Sequence, residues 1–128
     1  MRTRNVAAVL LFATLPLAAH AADHVAAVRQ GDSLRAKVLT NAAHLRAGMH
    51  AHGCIIHGYG HVVPWVIGDE TRAIAIADGL LKSGFHVQAI RPPTVPIGTA
   101  RLRVSTNAGH DASDIDAFLS ALRDVVRS

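Results

Sequence analysis

Arg101 and Arg103 lie two positions apart in Ala100-Arg101-Leu102-Arg103-Val104-Ser105-Thr106. In a β-strand that spacing puts both guanidinium groups, with Ser105, on one face and Leu102 and Val104 on the other. A guanidinium is a planar fork that grips a carboxylate or phosphate at two points, so the pattern suits an anionic ligand held in one orientation. Immediately upstream runs Arg91-Pro92-Pro93-Thr94-Val95-Pro96-Ile97-Gly98. The prolines fix φ and remove backbone donors, and each residue before a proline is pushed to extended conformations. Thr94 therefore sits in a stiff loop with its hydroxyl confined, and Gly98 lets the chain turn into the strand. On spacing alone, the same arginines also suit a solvated sheet face, where most charged residues reside.

A second constellation is rich in histidine. The chain has nine, and His50, His52, Cys54, His57 and His61 fall within twelve positions, with His44 shortly before. Imidazole and thiolate are ligands for zinc and copper. The N-terminus adds a basic Met1-Arg2-Thr3-Arg4, an apolar stretch over 6–17 and a small-x-small Ala19-His20-Ala21, which is the pattern of an export signal cleaved near residue 21. Together these features define one reading, an exported or periplasmic His-rich metal-binding protein with His50, His52, His57 and His61 as ligands. The spacing argues for scattered histidines instead. His50 and His52 straddle a predicted helix end, and Gly58 and Gly60 loosen the loop that carries His57 and His61. Cys54 lies in an apolar run and reads as a core thiol. As the only cysteine it excludes an intrachain disulfide.

Composition narrows the remaining classes. A chain of 128 residues, half of them hydrophobic, builds one core. The net charge is +4, but the basic residues are scattered and not interleaved with aromatics, so no nucleic-acid surface is expected. The N-terminal apolar run is too short to span a bilayer.

The elements that must position these residues follow from periodicity and punctuation. An alanine-rich helix is expected from Pro16 to Val28, broken by Gln30-Gly31-Asp32. Asp32 or Ser33 then caps a second helix to about Met49, with Leu34, Val38, Leu45 and Met49 at helical spacing. Strands are expected at 54–57, 62–68, 85–90 and 100–106, and Pro64 marks the second as an edge strand or a bend. Asp69 caps a helix through Lys82 that Gly84 stops. Asp111 caps a last helix whose apolar stripe is Ile115, Phe118, Leu119, Leu122, Val125 and Val126. The predicted fold is α+β: a small, mostly antiparallel sheet packed on helices. The domain reading is an N-terminal helix over 1–30 and a small domain over 31–128.

Four stretches carry a resemblance. They are Ile67-Gly68-Asp69 before a helix, Ala89-Ile90-Arg91-Pro92-Pro93-Thr94-Val95-Pro96, Gly98-Thr99-Ala100-Arg101-Leu102-Arg103, and Ala108-Gly109-His110 before Asp114-Ile115-Asp116. Together they resemble the α-oxoamine synthases, and the Arg-Pro-Pro-Thr-Val-Pro form resembles the 8-amino-7-oxononanoate synthase branch. Gly31-Asp32 with Arg35 and Lys37, and Leu45-Arg46-Ala47-Gly48, extend the likeness more thinly toward the N-terminus. The resemblance implies the C-terminal small domain of a fold-type I enzyme dependent on pyridoxal phosphate (PLP). Such an enzyme condenses an amino acid with an acyl thioester and releases carbon dioxide; in this branch the substrates are L-alanine and a pimeloyl thioester. It implies that Thr94 contacts substrate and that Arg103 grips the amino-acid carboxylate, with Arg91 and Arg101 as secondary candidates. It also implies a Schiff-base lysine on a loop of a large domain, and neither Lys37 nor Lys82 fits that pattern. These residues alone are therefore expected to bind no PLP and to be inactive, with a large domain or a second copy as partner. Gly58 to Val63 departs from the family pattern, as does Gly109. If Phe12 to Val28 matches the family helix that leads into the small domain, the signal-like pattern is incidental and the location is the cytoplasm.

Overall fold

A computed structural model describes residues 18–127. They fall into two compact units, one up to Leu34 and one from Arg35 onwards. In the first, helix α1 runs from residue 18 to 30 and ends in a turn at Gly31, whose N–H donates to the Val28 carbonyl at 3.3 Å. The expected signal sequence lies outside the described residues except for 18–21, which are helical. Among the described residues no helix is long and apolar enough to cross a membrane.

The second unit holds most of α2 (Asp32–Ala51), then β1 (Ile55–Ile56), β2 (Val62–Gly68), α3 (Glu70–Lys82), β3 (Gln88–Ile90), β4 (Ala100–Ser105) and α4 (Ala112–Arg127). The four strands form one antiparallel sheet in the order β1-β2-β4-β3. This is the α+β layer expected from the pattern of elements. Alternation along β2 and β4 sends Val63, Trp65, Ala100, Leu102 and Val104 into a core completed by Leu45 and Met49 of α2, Ile76 and Leu80 of α3, and Ile115, Phe118, Leu119 and Leu122 of α4. Phe85 meets Phe118 edge-on with ring centroids 5.5 Å apart, a geometry that aromatic quadrupoles favour.

The helix boundaries have local causes. The Asp69 carboxylate accepts from the Arg72 N–H at 2.7 Å and so caps α3. Gly84, at φ +90°, takes the left-handed conformation that ends it. At the start of α4, Asp111 N–H donates to the Asp114 carboxylate at 2.8 Å, while the Asp111 side chain accepts from Lys37 on α2 at 2.9 Å.

Three expectations need correction. Strand β3 covers only Gln88–Ile90, not 85–90, because Phe85 and Val87 turn into the core instead of joining the ladder. Pro64 does not mark an edge: β2 is paired on both sides. The proline is tolerated because it faces His57, just past the end of β1: His57 N–H donates to the Pro64 carbonyl at 3.2 Å, and the return bond to the His57 carbonyl comes from a side chain instead of the ladder. Leu34 is exposed and Val38 half-exposed, while Asn41 and Ala42 are buried with Leu45 and Met49. The buried residues of α2 all lie from Asn41, at its middle, onwards, so the core is met there and not by the first turns.

Candidate functional site

The sheet has a second face, turned away from the helices. The register sets Ile55, Val66, Arg101 and Ile90 in one row across the four strands, and Pro64, Arg103 and Gln88 in the next. None of these residues belongs to the hydrophobic core. Arg103 stands in the middle of this face, on an inner strand, with a half-buried proline on one side and an exposed glutamine on the other. The strand supplies a rigid base, and Leu102 and Val104, both buried, anchor it from beneath.

The three candidate arginines are not equivalent. Arg91 Nη1 donates to the Glu70 carboxylate at 3.1 Å, which ties the proline loop to the start of α3. Arg101 Nε donates to the Thr99 carbonyl at 3.1 Å and is half-buried. The Arg103 side chain is exposed and makes no hydrogen bond or ion pair with any described residue, while its backbone stays in the ladder opposite Gln88. Its fork is thus available to a ligand, whereas the other two are engaged in holding the chain.

Thr94 sits in the turn between β3 and β4, with its N–H donating to the Arg91 carbonyl at 3.0 Å. The turn contains a cis Pro92-Pro93 bond and closes with Thr99 Oγ1 donating to the Pro96 carbonyl at 2.7 Å. Thr94 is exposed and therefore accessible. Arg103 lies two residues further into β4 than Arg101, about 7 Å along the strand, so Arg101 stands next to the turn and Arg103 further in, toward the middle of the open face.

The histidines do not converge. Among the described residues, no three His, Cys, Asp or Glu side chains are arranged to hold a metal ion. His50 and His52 end α2, while His57 and His61 flank the β1–β2 turn. His44 instead meets Asp116 of α4, its Nε2 lying 2.7 Å from the carboxylate. Cys54 is buried, and burial pushes its thiol up to about 11.

Two residues that the sequence did not single out hold the frame together. Arg46 on α2 donates to three carbonyls of the β1–β2 turn: His57 at 3.1 Å, Gly60 at 3.2 Å and Val62 at 3.1 Å. The signal was present in Pro64, whose missing N–H leaves the facing His57 carbonyl without a ladder partner; Arg46 supplies the donor. Asn41, buried in α2, donates to the Asn107 and His110 carbonyls at 3.0 and 2.9 Å and fixes the turn before α4.

No protein-family model matches the chain. The 8-amino-7-oxononanoate synthase of Cronobacter sakazakii is 41% identical over 122 residues, which cover 92% of this chain and 32% of that protein. Among solved structures, the serine palmitoyltransferase of S. paucimobilis with a bound PLP–myriocin aldimine superposes with a TM-score of 0.68 at 29% identity, over 73% of this chain and 24% of that one. The 8-amino-7-oxononanoate synthase of Francisella tularensis superposes at 0.64 over 75% of this chain and 28% of that one; at 19% identity it speaks for the fold alone. The chain thus spans about a third of the length of the curated relative it matches. Over the segment it shares with them, the chain is a homologue of the 8-amino-7-oxononanoate synthases and has the fold of the corresponding part of PLP-dependent fold-type I enzymes.

Proposed function

We propose that this chain supplies the carboxylate grip of a PLP-dependent acyltransferase that condenses L-alanine with a pimeloyl thioester, with loss of carbon dioxide. The observation that carries the proposal is Arg103, an unpaired guanidinium on a rigid inner strand of the open sheet face. Two-point contact with a carboxylate there fixes the amino acid's Cα bonds relative to whatever lies above the sheet. Thr94 is the second substrate contact, and Arg91 and Arg101 hold the loop and strand that present the pair.

The chain's own residues do not fit the cofactor. Lys37 Nζ is bound to Asp111 at 2.9 Å. Lys82 closes α3 beside a groove that it shares with Arg72, Asp78 and Val125, in the helical layer and on the opposite side of the sheet from Arg103. Neither can form a Schiff base at the open face. PLP and its lysine are therefore supplied by the larger body that meets this face, whether a large domain or a neighbouring copy, and the 128 residues alone do not catalyse the reaction. The cytoplasm is the proposed location.

Two assays test this reading. The purified 128-residue chain, given PLP, L-alanine and a pimeloyl thioester, should form no 8-amino-7-oxononanoate; product formation would overturn the assignment of the cofactor site to another body. The same residues grafted in place of the matching segment of the Cronobacter sakazakii synthase should support condensation; a folded, PLP-loaded but inactive graft would overturn the proposed role.

A further inference from the structure

A cavity of about 240 Å3 opens where β3 parts from β4, on the side of the sheet that faces the helices. Leu45, Phe85, Val104, Ile115 and Phe118 make its apolar floor, and His86, Ser105, His110 and Asp114 its polar rim.

The strand geometry gives this cavity a directional head. Thr106 N–H donates to the His61 carbonyl, on the β2 side of β4. Successive residues of a strand turn their N–H and C=O groups to alternate sides, so Ser105 turns both toward β3. There Arg103 still pairs with Gln88, but the ladder stops: no backbone hydrogen bond joins Ser105 to residues 85–87 among the described residues. One donor and one acceptor, at the spacing of a β-bridge, are left at the cavity wall. His110 adds a further donor. The Asn107 N–H can only donate, and it meets His110 Nδ1 at 3.3 Å, with Thr106 Oγ1 3.1 Å from the same nitrogen. The neutral ring therefore carries its proton on Nε2.

We propose that this notch is a second ligand site, separate from the open face, for a small molecule with an apolar body and a carboxamide head. A paired N–H and C=O at a strand edge match a primary amide, whose oxygen and syn N–H return one acceptor and one donor on the same side, as the anti N–H and C=O of a trans secondary amide cannot. The aromatic and aliphatic floor takes the body, as small-molecule sites commonly do. A bare carboxylate would have no donor for the Ser105 carbonyl and would meet Asp114. An ammonium would have no acceptor for the Ser105 N–H or for His110.

Benzamide, benzoate and benzylamine share one ring and differ in the head, so they separate these cases. In an amide-detected NMR titration of the 128-residue chain, benzamide should shift the Ser105 signal saturably and bind at least fivefold more tightly than the other two. Equal binding of all three, or no saturable shift at Ser105, would overturn the proposal. Ser105→Pro removes the donor N–H and should weaken benzamide at least fivefold with an unchanged circular dichroism spectrum; undiminished binding would contradict the head assignment. If the proline disturbs β4, hydrogen exchange on the unaltered chain decides. The Ser105 amide should exchange rapidly in the free protein and slow with benzamide, and an amide already protected in the free protein sinks the idea.

Discussion

The two faces of the same four-stranded sheet are built for opposite purposes. On the inner face, Val63, Leu102 and Ala100 are essentially without solvent contact and lie under three helices. On the outer face, one residue away along the same strands, Pro64, Arg101, Arg103 and Ser105 belong to no core. Adjacent residues of β4 thus belong to different parts of the protein: Leu102 and Val104 hold the strand in place, and Arg103, the proposed carboxylate grip, is presented to solvent from it. A binding group on a strand interior gains precision from its buried neighbours in a way that a group on a loop does not.

The comparison is broken most severely from the inner side. Trp65→Ala should cost about 3–5 kcal/mol and Leu102→Ala about 2–5 kcal/mol in urea unfolding, a large fraction of the roughly 5–15 kcal/mol that holds an ordinary domain folded. Next comes the frame. Arg46→Ala strips three carbonyls of their charged donor and should cost about 1.5–3 kcal/mol, with the loss seen first as fast amide exchange around Gly60. Gly48→Ala follows: a Cβ there would collide with the end of the Leu119 side chain on α4. Overpacking of this kind costs about 1–3 kcal/mol, and Leu119→Ala in the same chain should remove part of that penalty. Arg103→Ala, by contrast, should change stability by less than about 0.5 kcal/mol. A large loss there would mean that Arg103 has a structural partner, and the distinction between the faces would fail.

Cys54 gives a chemical reading of the inner side. Burial raises its pKa from 9.0 to about 11. Alkylation of the native chain at pH 8 should therefore run on the order of 100-fold more slowly than in urea, since only the thiolate reacts. Because the folded-state value is the higher one, the folded state holds the proton more tightly. The associated stability is fully present below pH 9 and is lost as pH rises through about 11.

Much of the helical layer was legible from local chemistry. Asp69 and Gly84 bracket α3, and the stripe from Ile115 to Leu122 turns inward as its period requires. Strand β2 also ends where its pattern ends. What could not be read required knowledge of partners distant in sequence. Phe85 to Val87 carry strand-like residues, but their side chains are drawn toward Phe118 and the core, so β3 shortens. Pro64 was legible as a missing donor, not as an inner-strand residue, because the early end of β1 and the role of Arg46 are tertiary facts. At the site, the alternation of Arg101 and Arg103 was visible in the sequence, but the engagement of Arg101 by Thr99 and the freedom of Arg103 were not. Family resemblance, rather than spacing, singled out Arg103 in advance.

The most direct measurement sets Arg103→Ala beside Arg101→Ala in the grafted synthase and compares kcat/KM for L-alanine. Loss of a charged two-point contact to the substrate carboxylate should lower kcat/KM by at least about 100-fold at Arg103, with PLP still bound and the fold intact. Arg101→Ala should cost about tenfold or less. Equal losses at the two positions, or a graft that tolerates Arg103→Ala, would contradict the assignment of the carboxylate grip to the open face.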